Sequence, residues 1–341
     1  MCWSRSRPSS RHRAPHQNNK KAEMAVRYRV LLTIMTLIGL ACLCGCRREP
    51  LMAGLITPQG TEMPASTPTP VETTPCPTAT ATTTPAPSPC TPTTPPSPTA
   101  TTEGEEVVIT VVYDNNAYDP RLQTAWGFGC VIERGETAVL FDTGGDGAIL
   151  LSNMATLGLD PHAVDIVVLS HIHGDHTGGL SDLLATGVRP TVYVPAAFLA
   201  SFKAQVQAVT TLGEVDGPYE ILPGVYTTGQ MGTGIVEQAL VIETSRGLVV
   251  ITGCAHPGIA EMVRRAGQIG KNGVYLVLGG FHLGGASKGR IANIIADFRG
   301  MGVQKVAPCH CTGDRALTMF ATEYGDDFIR NGVGKILEIK P

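Results

Sequence analysis

A long segment of threonine, proline, alanine and serine divides the chain and limits where it can fold. The segment runs over residues 57–102 and has almost no large apolar side chains. Such a composition cannot bury enough apolar surface to offset the entropy lost on ordering. Its prolines favour extended polyproline II backbone, which predicts a disordered, semi-stiff linker. We therefore interpret residues 47–104 as a linker and residues 105–341 as one folded domain.

The sequence before the linker is typical of an export signal. Arg27 and Arg29 precede an apolar run over residues 30–43, which is shorter than the roughly 20 residues of a membrane-spanning helix. The run ends in Leu-Cys-Gly-Cys, and Cys46 fits the lipid-modified cysteine of a bacterial lipobox. Residues 1–46 are therefore predicted to be an N-terminal extension and signal peptide. The domain is expected outside the cytoplasm, anchored to the membrane as a lipoprotein or, alternatively, through one helix.

The charge balance excludes one broad class of function. The formal net charge is -3, whereas a general nucleic-acid-binding protein normally carries a strong basic excess. We expect a small-molecule substrate and no nucleic acid. A phosphate-bearing substrate stays open, because bound metal ions supply positive charge locally.

Apolar runs after residue 105 predict an α+β domain. Runs of β-branched residues predict strands, and longer amphipathic stretches predict helices. The strands come in two batches, each followed by helices, which suggests two sheets packed face to face with helices outside. The predicted strands are 107–113, 127–133, 137–141, 165–169, 191–194, 219–227, 239–243, 248–252, 274–278 and 305–307, and the predicted helices are 148–157, 180–185, 259–266 and 291–298.

A histidine cluster follows the short apolar strand at 165–169. Three of the chain's nine histidines, with one aspartate, lie within six positions: His171, His173, Asp175 and His176. Imidazole and carboxylate are preferred ligands of zinc and similar divalent ions. If the strand continues, His171 and His173 share one face, and the turn at Gly174 redirects the next two side chains. One short segment could thus serve two adjacent metals.

These residues resemble a known family. His171-x-His173-x-Asp175-His176 matches the signature of the metallo-β-lactamase superfamily, and the Phe-Asp-Thr-Gly sequence at 141–144 matches its upstream strand-end motif. The segments at 253–259, 279–283 and 308–313 look like those of its dihydropterin-synthase-like subgroup, named after enzymes that join a pterin to a ribofuranosylaminobenzene phosphate. The resemblance implies a four-layer αββα sandwich with a two-metal centre.

The resemblance also implies roles for individual residues. His171 and His173 would bind the first metal, and Asp175, His176 and His310 the second. The superfamily's third histidine of the first metal is missing at its usual place, because no histidine occurs between His176 and His256. We assign that role to His256.

Three further residues are harder to interpret. Cys254 stands where the superfamily has a bridging aspartate, and it is either a ligand of the second metal or a buried structural cysteine. His282 follows a strand and a Gly-Gly pair, so it is either a substrate contact or proton donor or a residue that supports the ligands. Asp142 is expected to orient the histidine loop by hydrogen bonding. Cys309 and Cys311 would point away from the site in an extended backbone and are expected to pack in the core.

The expected activity is metal-dependent hydrolysis. Two divalent ions, with Zn²⁺ favoured over Mn²⁺ or iron, would activate a water molecule against an ester, amide or phosphoester. Asp175 and His282 are the predicted catalytic residues. One alternative is a transferase of the dihydropterin-ribofuranosylaminobenzene-phosphate synthase type, and another is a non-catalytic, surface-displayed module that binds a metal or ligand.

Overall fold

A computed structural model of the chain describes residues 105–341. The signal, lipobox and linker expected before residue 105 lie outside the described residues. Within the described part, no helix is long and apolar enough to cross a membrane.

Two mixed sheets form the centre of the domain. The first has the strand order β13-β1-β2-β3-β4-β5-β6, and the second has the order β12-β11-β10-β9-β8-β7. The strands are β1 Val107–Asp114, β2 Phe128–Arg134, β3 Thr137–Phe141, β4 Val164–Val168, β5 Thr191–Pro195, β6 Leu212–Val215, β7 Tyr219–Leu222, β8 Val225–Thr227, β9 Leu240–Thr244, β10 Gly247–Thr252, β11 Val274–Gly280, β12 Lys305–Cys309 and β13 Ile336–Ile339.

Helices cover the outer faces of the sheets. They are α1 Gly147–Leu157, α2 Gly174–Thr177, α3 Leu180–Ala185, α4 Ala200–Gln207, α5 Ile259–Ile269, α6 Lys288–Gly300 and α7 Asp314–Tyr324. Two begin at side-chain caps: Asp146 accepts a hydrogen bond from the Ile149 amide at the start of α1, and Ser287 accepts one from the Arg290 amide at the start of α6. Short 3₁₀ turns occupy Pro161–Ala163, His310–Thr312 and Gly325–Asp327.

Three buried clusters define a four-layer αββα sandwich. The central cluster joins the inner faces of both sheets, as with Phe141 of β3 and Ile251 of β10. A second cluster packs β10 and β11 against α5, α6 and α7, and includes Phe281 and Phe298. The third packs the first sheet against α1, α3 and α4, and includes Leu150. Burial of apolar area on this scale is the main stabilising contribution to such a domain. The fold class expected from the sequence is confirmed.

Parallel pairing brings several strand ends to one edge of the sandwich. In the first sheet β3 pairs in parallel with β4, and in the second β10 pairs in parallel with β11, which pairs in parallel with β12. Because parallel strands end at the same edge, the loops after these five strands meet there. Every expected site residue lies in or close to one of these loops.

The structure differs from the sequence prediction at a few places. The strand before the histidine cluster ends at Val168, so His171 and His173 do not lie on a strand, and Gly174–Thr177 is a single helical turn. The predicted strand 219–227 is a hairpin of β7 and β8, because the chain reverses around Gly224, which has φ 73°. Helices α4 and α7 and strands β6 and β13 were not predicted.

Candidate metal centre

Three histidines form the first group of the site. Nε2 of His171 lies 3.1 Å from Nδ1 of His173, and the ring centroids of His171 and His173 lie 4.8 and 4.9 Å from that of His256. His171 is fully buried, and its Nδ1 lies 2.9 Å from the Ser170 hydroxyl. That contact orients the opposite ring nitrogen toward the other two histidines. The structure thus brings His256 next to His171 and His173.

The second group adjoins the first. Oδ2 of Asp175 lies 3.6 Å from Nε2 of His176 and 3.5 Å from Nε2 of His310. The Sγ of Cys254 lies 3.3 Å from the same His176 nitrogen. Ligand atoms of these four residues all lie within 4.8 Å of one another, and those of His171, Cys254 and His256 meet the same limit. Cys254 therefore lies between the two groups.

Asp142 joins the loop after β3 to the histidine loop. Its Oδ1 accepts a hydrogen bond from the Ser170 amide at 2.7 Å, and its Oδ2 accepts one from the Ser170 hydroxyl at 2.7 Å. Oδ2 also lies 2.7 Å from Nδ1 of His176. A carboxylate that holds the far nitrogen of a histidine fixes the ring and its tautomer for metal binding. The orienting role expected of Asp142 agrees with this geometry.

Gly253 makes this arrangement possible. A Cβ at residue 253 would lie 2.1 Å from the Ser170 hydroxyl oxygen and 2.8 Å from Oδ2 of Asp142. Any side chain there would push the Asp142–Ser170 pair apart.

Two residues that sequence reasoning missed support His310. Oδ1 of Asn115 lies 2.9 Å from Nδ1 of His310, and the Asn115 amide donates to the His310 carbonyl at 3.3 Å. The ring of Trp126 lies 4.9 Å from the His310 ring, although Trp126 is 61% exposed. A large, exposed aromatic residue beside a buried histidine marks the open side of the site. Neither residue belongs to a recognisable motif, so only the folded chain reveals them.

Glu237 holds the loop that presents Cys254 and His256. This fully buried carboxylate accepts hydrogen bonds from the amides of Cys254 at 2.9 Å, Ala255 at 2.8 Å and His256 at 2.8 Å. Burial raises its pKa, and the three amide donors offset part of that rise. The next residue, Gln238, donates its side-chain amide to the Leu169 carbonyl at 2.9 Å. Residues 237 and 238 therefore tie both ligand-bearing loops together.

Backbone strain is concentrated at this edge. Within residues 105–341, the non-glycine residues with positive φ are Asp142 at 55°, Ala255 at 64°, His282 at 50° and His310 at 49°. All four lie just beyond strand ends at the site. Each such conformation costs on the order of 1–3 kcal/mol and persists only where the surrounding structure enforces it.

The charge states of the site favour metal binding. Burial, with the neighbouring histidines, strongly lowers the pKa of His171, and burial together with His282 lowers that of His256 to about 4. Burial opposes ionisation of Asp175, but the adjacent imidazoles of His310 and His176 bring its pKa down to about 2. Near neutral pH, the imidazoles of His171 and His256 are thus neutral and Asp175 is a carboxylate, as metal ligands must be.

The donor set fits divalent metal ions. Nε2 of His256 and Nε2 of His310 are buried and have no hydrogen-bond partner. Buried polar atoms without partners are costly, and a bound ion would satisfy both of these. Histidine nitrogen, carboxylate oxygen and thiolate sulfur are ligands of zinc.

Comparison with known proteins agrees with this geometry. The family model of the metallo-beta-lactamase superfamily matches residues 130–263. A 7,8-dihydropterin-6-methyl-4-(beta-D-ribofuranosyl)-aminobenzene-5'-phosphate synthase of Methanocaldococcus jannaschii is 31% identical over 281 residues, which cover 68% of this chain and 96% of that protein. The chain belongs to the metallo-beta-lactamase superfamily. Proteins with this fold typically bind divalent metals, and the superfamily is one of enzymes.

Solved structures of the metallo-beta-lactamase superfamily share the architecture. Tm1679, described as a metal-dependent hydrolase of that superfamily, aligns with a TM-score of 0.58 and 28% identity, over 69% of this chain and 100% of Tm1679. YhfI from Bacillus subtilis aligns with a TM-score of 0.53 and 15% identity, over 69% of this chain and 99% of YhfI, which is a likeness of fold alone.

Cys311 occupies a position that the sequence did not predict. The backbone at His310–Thr312 is a 3₁₀ turn rather than extended, so Cys311 turns toward the site. The Sγ atoms of Cys311 and Cys254 and a ring nitrogen of His282 all lie within 4.8 Å of one another. The thiol contact raises the pKa of Cys254 and lowers that of Cys311. Cys309, in contrast, is buried in the central core as expected.

A cavity of about 540 Å³ opens beside the centre. His256 and His282 line it on the side of the metal centre, and Arg264 and Arg290 are among its other lining residues. Arg264 forms an ion pair with Glu261, whereas the Arg290 guanidinium makes no hydrogen bond or ion pair within residues 105–341. The sequence did not predict that Arg264 and Arg290 line one cavity, because the two arginines belong to different helices.

Proposed function

We propose that the protein is a hydrolase that uses two bound divalent ions to cleave a small-molecule phosphoester. The observation that carries the proposal is the convergence of side chains from three loops at one edge of the sandwich, with two buried imidazole nitrogens that have no hydrogen-bond partner. The converging side chains are His171, His173, Asp175, His176, Cys254, His256 and His310.

The ligands fall into two sets. His171, His173 and His256 would hold the first ion, and Asp175, His176 and His310 the second. The position of Cys254 between the sets supports its role as a ligand of the second ion. Zn²⁺ is our first choice, since imidazole and thiolate both bind it well.

Two ions at such a centre supply a water molecule of lowered pKa and positive charge that stabilises a developing oxyanion. Around them, the chain's own residues bind and move protons. Asp175 is ionised near neutral pH and can orient the attacking water or accept its proton. The contact with Cys311 raises the pKa of His282, so a larger share of its imidazole is protonated and able to donate to the leaving group.

The cavity beside the centre supports an anionic substrate. Arg290 is exposed at its wall, and a guanidinium is well suited to a phosphate group. The ester and amide substrates expected from the resemblance would leave that charge unused. A phosphoester would place its reacting centre at the metals and a neighbouring anionic group on Arg290.

A synthase-type transfer is the second candidate. The Methanocaldococcus jannaschii relative that supports it is named a synthase and matches over almost its full length. The product in that relative's name carries a phosphate group, which the Arg290 guanidinium could bind. Expected export of the domain argues against a pterin substrate, so we rank hydrolysis first.

Metal content and turnover, measured on one preparation of the full chain, test the proposal. We expect Zn²⁺-dependent hydrolysis of an aryl phosphodiester, faster than that of an aryl ester or anilide. His173→Ala should bind less Zn²⁺ and lose turnover. His162→Ala is the matched control, because His162 is exposed on the 3₁₀ turn before β4, and it should behave as wild type.

The outcomes separate the candidates. Zn²⁺ uptake without turnover on any member of the panel would contradict the hydrolase proposal and favour a binding module. Formation of a pterin–arylamine product from a pterin pyrophosphate would favour the synthase candidate.

A further inference from the structure

A third set of donor atoms lies beside the two-metal centre. It consists of the thiols of Cys254 and Cys311 and the imidazole of His282, whose ligand atoms all lie within 4.8 Å of one another. We propose that these three residues bind a further thiophilic ion, such as Zn²⁺, at a site of its own. This inference goes beyond the proposed function, because it concerns occupancy of a third position and requires no particular reaction.

The chemistry of the set is that of a zinc site. Two thiolates and one imidazole match the three protein ligands of zinc sites that keep a fourth position open. Zinc–sulfur bonds of about 2.3 Å and zinc–nitrogen bonds of about 2.0–2.1 Å place tetrahedral ligand atoms roughly 3.4–3.8 Å apart. The three donors, all within 4.8 Å of one another, lie close to that spacing. A thiolate has lone pairs for two ions, so Cys254 can serve this site and the second metal together.

A glycine in the backbone allows the two thiols to approach each other. Gly280, the last residue of β11, lies between them: a Cβ there would be 2.8 Å from Sγ of Cys311 and 3.2 Å from Cα of Cys254. Sγ of Cys311 also lies 3.6 Å from the Cys254 carbonyl oxygen. Any residue larger than glycine at position 280 would separate the loops after β10 and β12. The close approach is therefore a property of the fold and not of one side-chain rotamer.

His282 lies on the solvent side of the two thiols. Its φ of 50° is strained for a residue with a side chain, and this conformation places the imidazole beside the thiols and the His256 ring, at a centroid distance of 4.3 Å. The two cysteines are buried, whereas His282 is exposed and lines the cavity of about 540 Å³. An ion bound here would be reached through that cavity. One nitrogen of His282 would bind it, so an occupied site holds His282 as a neutral imidazole, which contacts the substrate through its other N–H instead of acting as a protonated acid.

Metal counting on the full chain tests the site. The protein would be purified under reducing conditions, stripped with a chelator and reloaded with Zn²⁺ or Co²⁺. We expect three ions per wild-type chain, and two in Cys311→Ser and in His282→Gln. In the Co²⁺ form, both variants should show weaker near-ultraviolet thiolate-to-cobalt absorption than wild type, with only the contribution of Cys254 at the second ion remaining. Cys130→Ala is the matched control, because Cys130 is buried on β2 in the central core, and it should keep three ions.

Two results would overturn the proposal. A wild-type chain with two ions, and the same count and absorption in Cys311→Ser and His282→Gln, would exclude the site. So would a Cys254–Cys311 disulfide that persists in the reduced and reloaded protein, since it leaves no thiolate. His282 is exposed, so His282→Gln gives a valid result even if Cys311→Ser fails to fold.

Failure of this proposal is distinct from failure of the proposed function. His173→Ala should lower the ion count but keep the thiolate-to-cobalt absorption, because it removes a ligand of the first ion only. Two ions with phosphodiester turnover would reject the third site and keep the hydrolase. Three ions without turnover would support the third site and reject the hydrolase proposal.

Discussion

Nδ1 of His176 lies 2.7 Å from Oδ2 of Asp142, and both side chains are fully buried. A carboxylate can only accept a hydrogen bond, so Nδ1 carries the proton and Nε2 faces Asp175 and Cys254 as an acceptor. Burial opposes a charge on His176, but Asp142 outweighs that effect and raises the pKa of the imidazole. The aspartate of the strand-end motif therefore determines which histidine nitrogen is available to a metal.

The first prediction concerns this pair. Asp142→Asn should weaken Zn²⁺ binding roughly 10- to 100-fold, because an amide cannot accept from the Ser170 amide, the Ser170 hydroxyl and His176 together. Competition with a chromogenic chelator would measure the change. Asp165→Asn is the control: the exposed Asp165 accepts one hydrogen bond, from the Ala138 amide at 3.0 Å, and an asparagine oxygen can replace its carboxylate oxygen. Equal Zn²⁺ affinity in both variants would contradict the orienting role.

Glu237 gives the second prediction. Glu237→Gln keeps the shape of the side chain but places its NH₂ group against one of the three backbone N–H donors at residues 254–256, so that two donors face each other. We expect the free energy of unfolding of the metal-free protein to fall by about 2–3 kcal/mol. Urea denaturation in chelator would measure it. Glu243→Gln on β9, where the side chain is only half-buried, should change stability little, and a similar loss in both variants would argue against a specific role for Glu237.

The sequence predicted most of the fold and part of the site. Strands β1 to β5 and β9 to β12 were predicted to within a few residues, because each is a short apolar run with clear turn residues at its ends. Helix α7 was not predicted, although Ala316, Phe320 and Tyr324 lie four residues apart on its buried face. The histidine cluster was visible because its ligands are close in sequence.

The rest of the site depends on contacts between distant segments. Glu237, Asn115 and Arg290 act through partners that are 17 or more residues away, or through a cavity wall, and no local pattern identifies them. Cys311 was misplaced because the extended backbone assumed for residues 309–311 is in fact a 3₁₀ turn. The change in backbone reverses the direction of one side chain and creates the thiol cluster.

Trp126 gives the third prediction. Its ring is 61% exposed and lies 4.9 Å from the His310 ring, so an aryl substrate at the metals can stack on it. Loss of such an aromatic contact costs about 0.5–1.5 kcal/mol, which corresponds to a KM increase of about 2- to 12-fold in Trp126→Ala. Steady-state kinetics should show a much smaller change in kcat, and Trp126→Phe should recover much of the affinity. The exposed Tyr118 packs on Lys335, so Tyr118→Ala should leave KM unchanged.

The fourth prediction concerns export. Cys46 is the predicted lipid-modified residue, and the apolar run before it is too short for a typical spanning helix. In a bacterial host, wild-type protein should fractionate with the membrane and incorporate labelled fatty acid. Cys46→Ala should lose the label. Cys44→Ala is the control and should keep it. Fatty-acid labelling of Cys46→Ala, or its absence in wild type, would contradict the lipoprotein interpretation and favour a helical anchor.

The last prediction is a pH dependence of stability in the metal-free protein. Burial and the neighbouring histidines lower the pKa of His256 from 6.5 to about 4. As pH falls below 6.5, the unfolded chain takes up a proton at this residue while the folded chain does not, so the unfolded state gains stability. The penalty grows until about pH 4, where the folded form also becomes protonated.

Urea unfolding in chelator, measured in steps from pH 7.5 to pH 4, would detect this loss. His256→Gln removes the titrating group, so its midpoint should fall less steeply than that of wild type between pH 6.5 and 4. His162→Gln, at an exposed turn, should follow the wild-type curve. Zn²⁺ should flatten the upper part of the wild-type profile, because it binds the neutral imidazole and competes with the proton. A His256→Gln profile parallel to wild type would mean that other buried groups, His171 first among them, carry the acid sensitivity of the site.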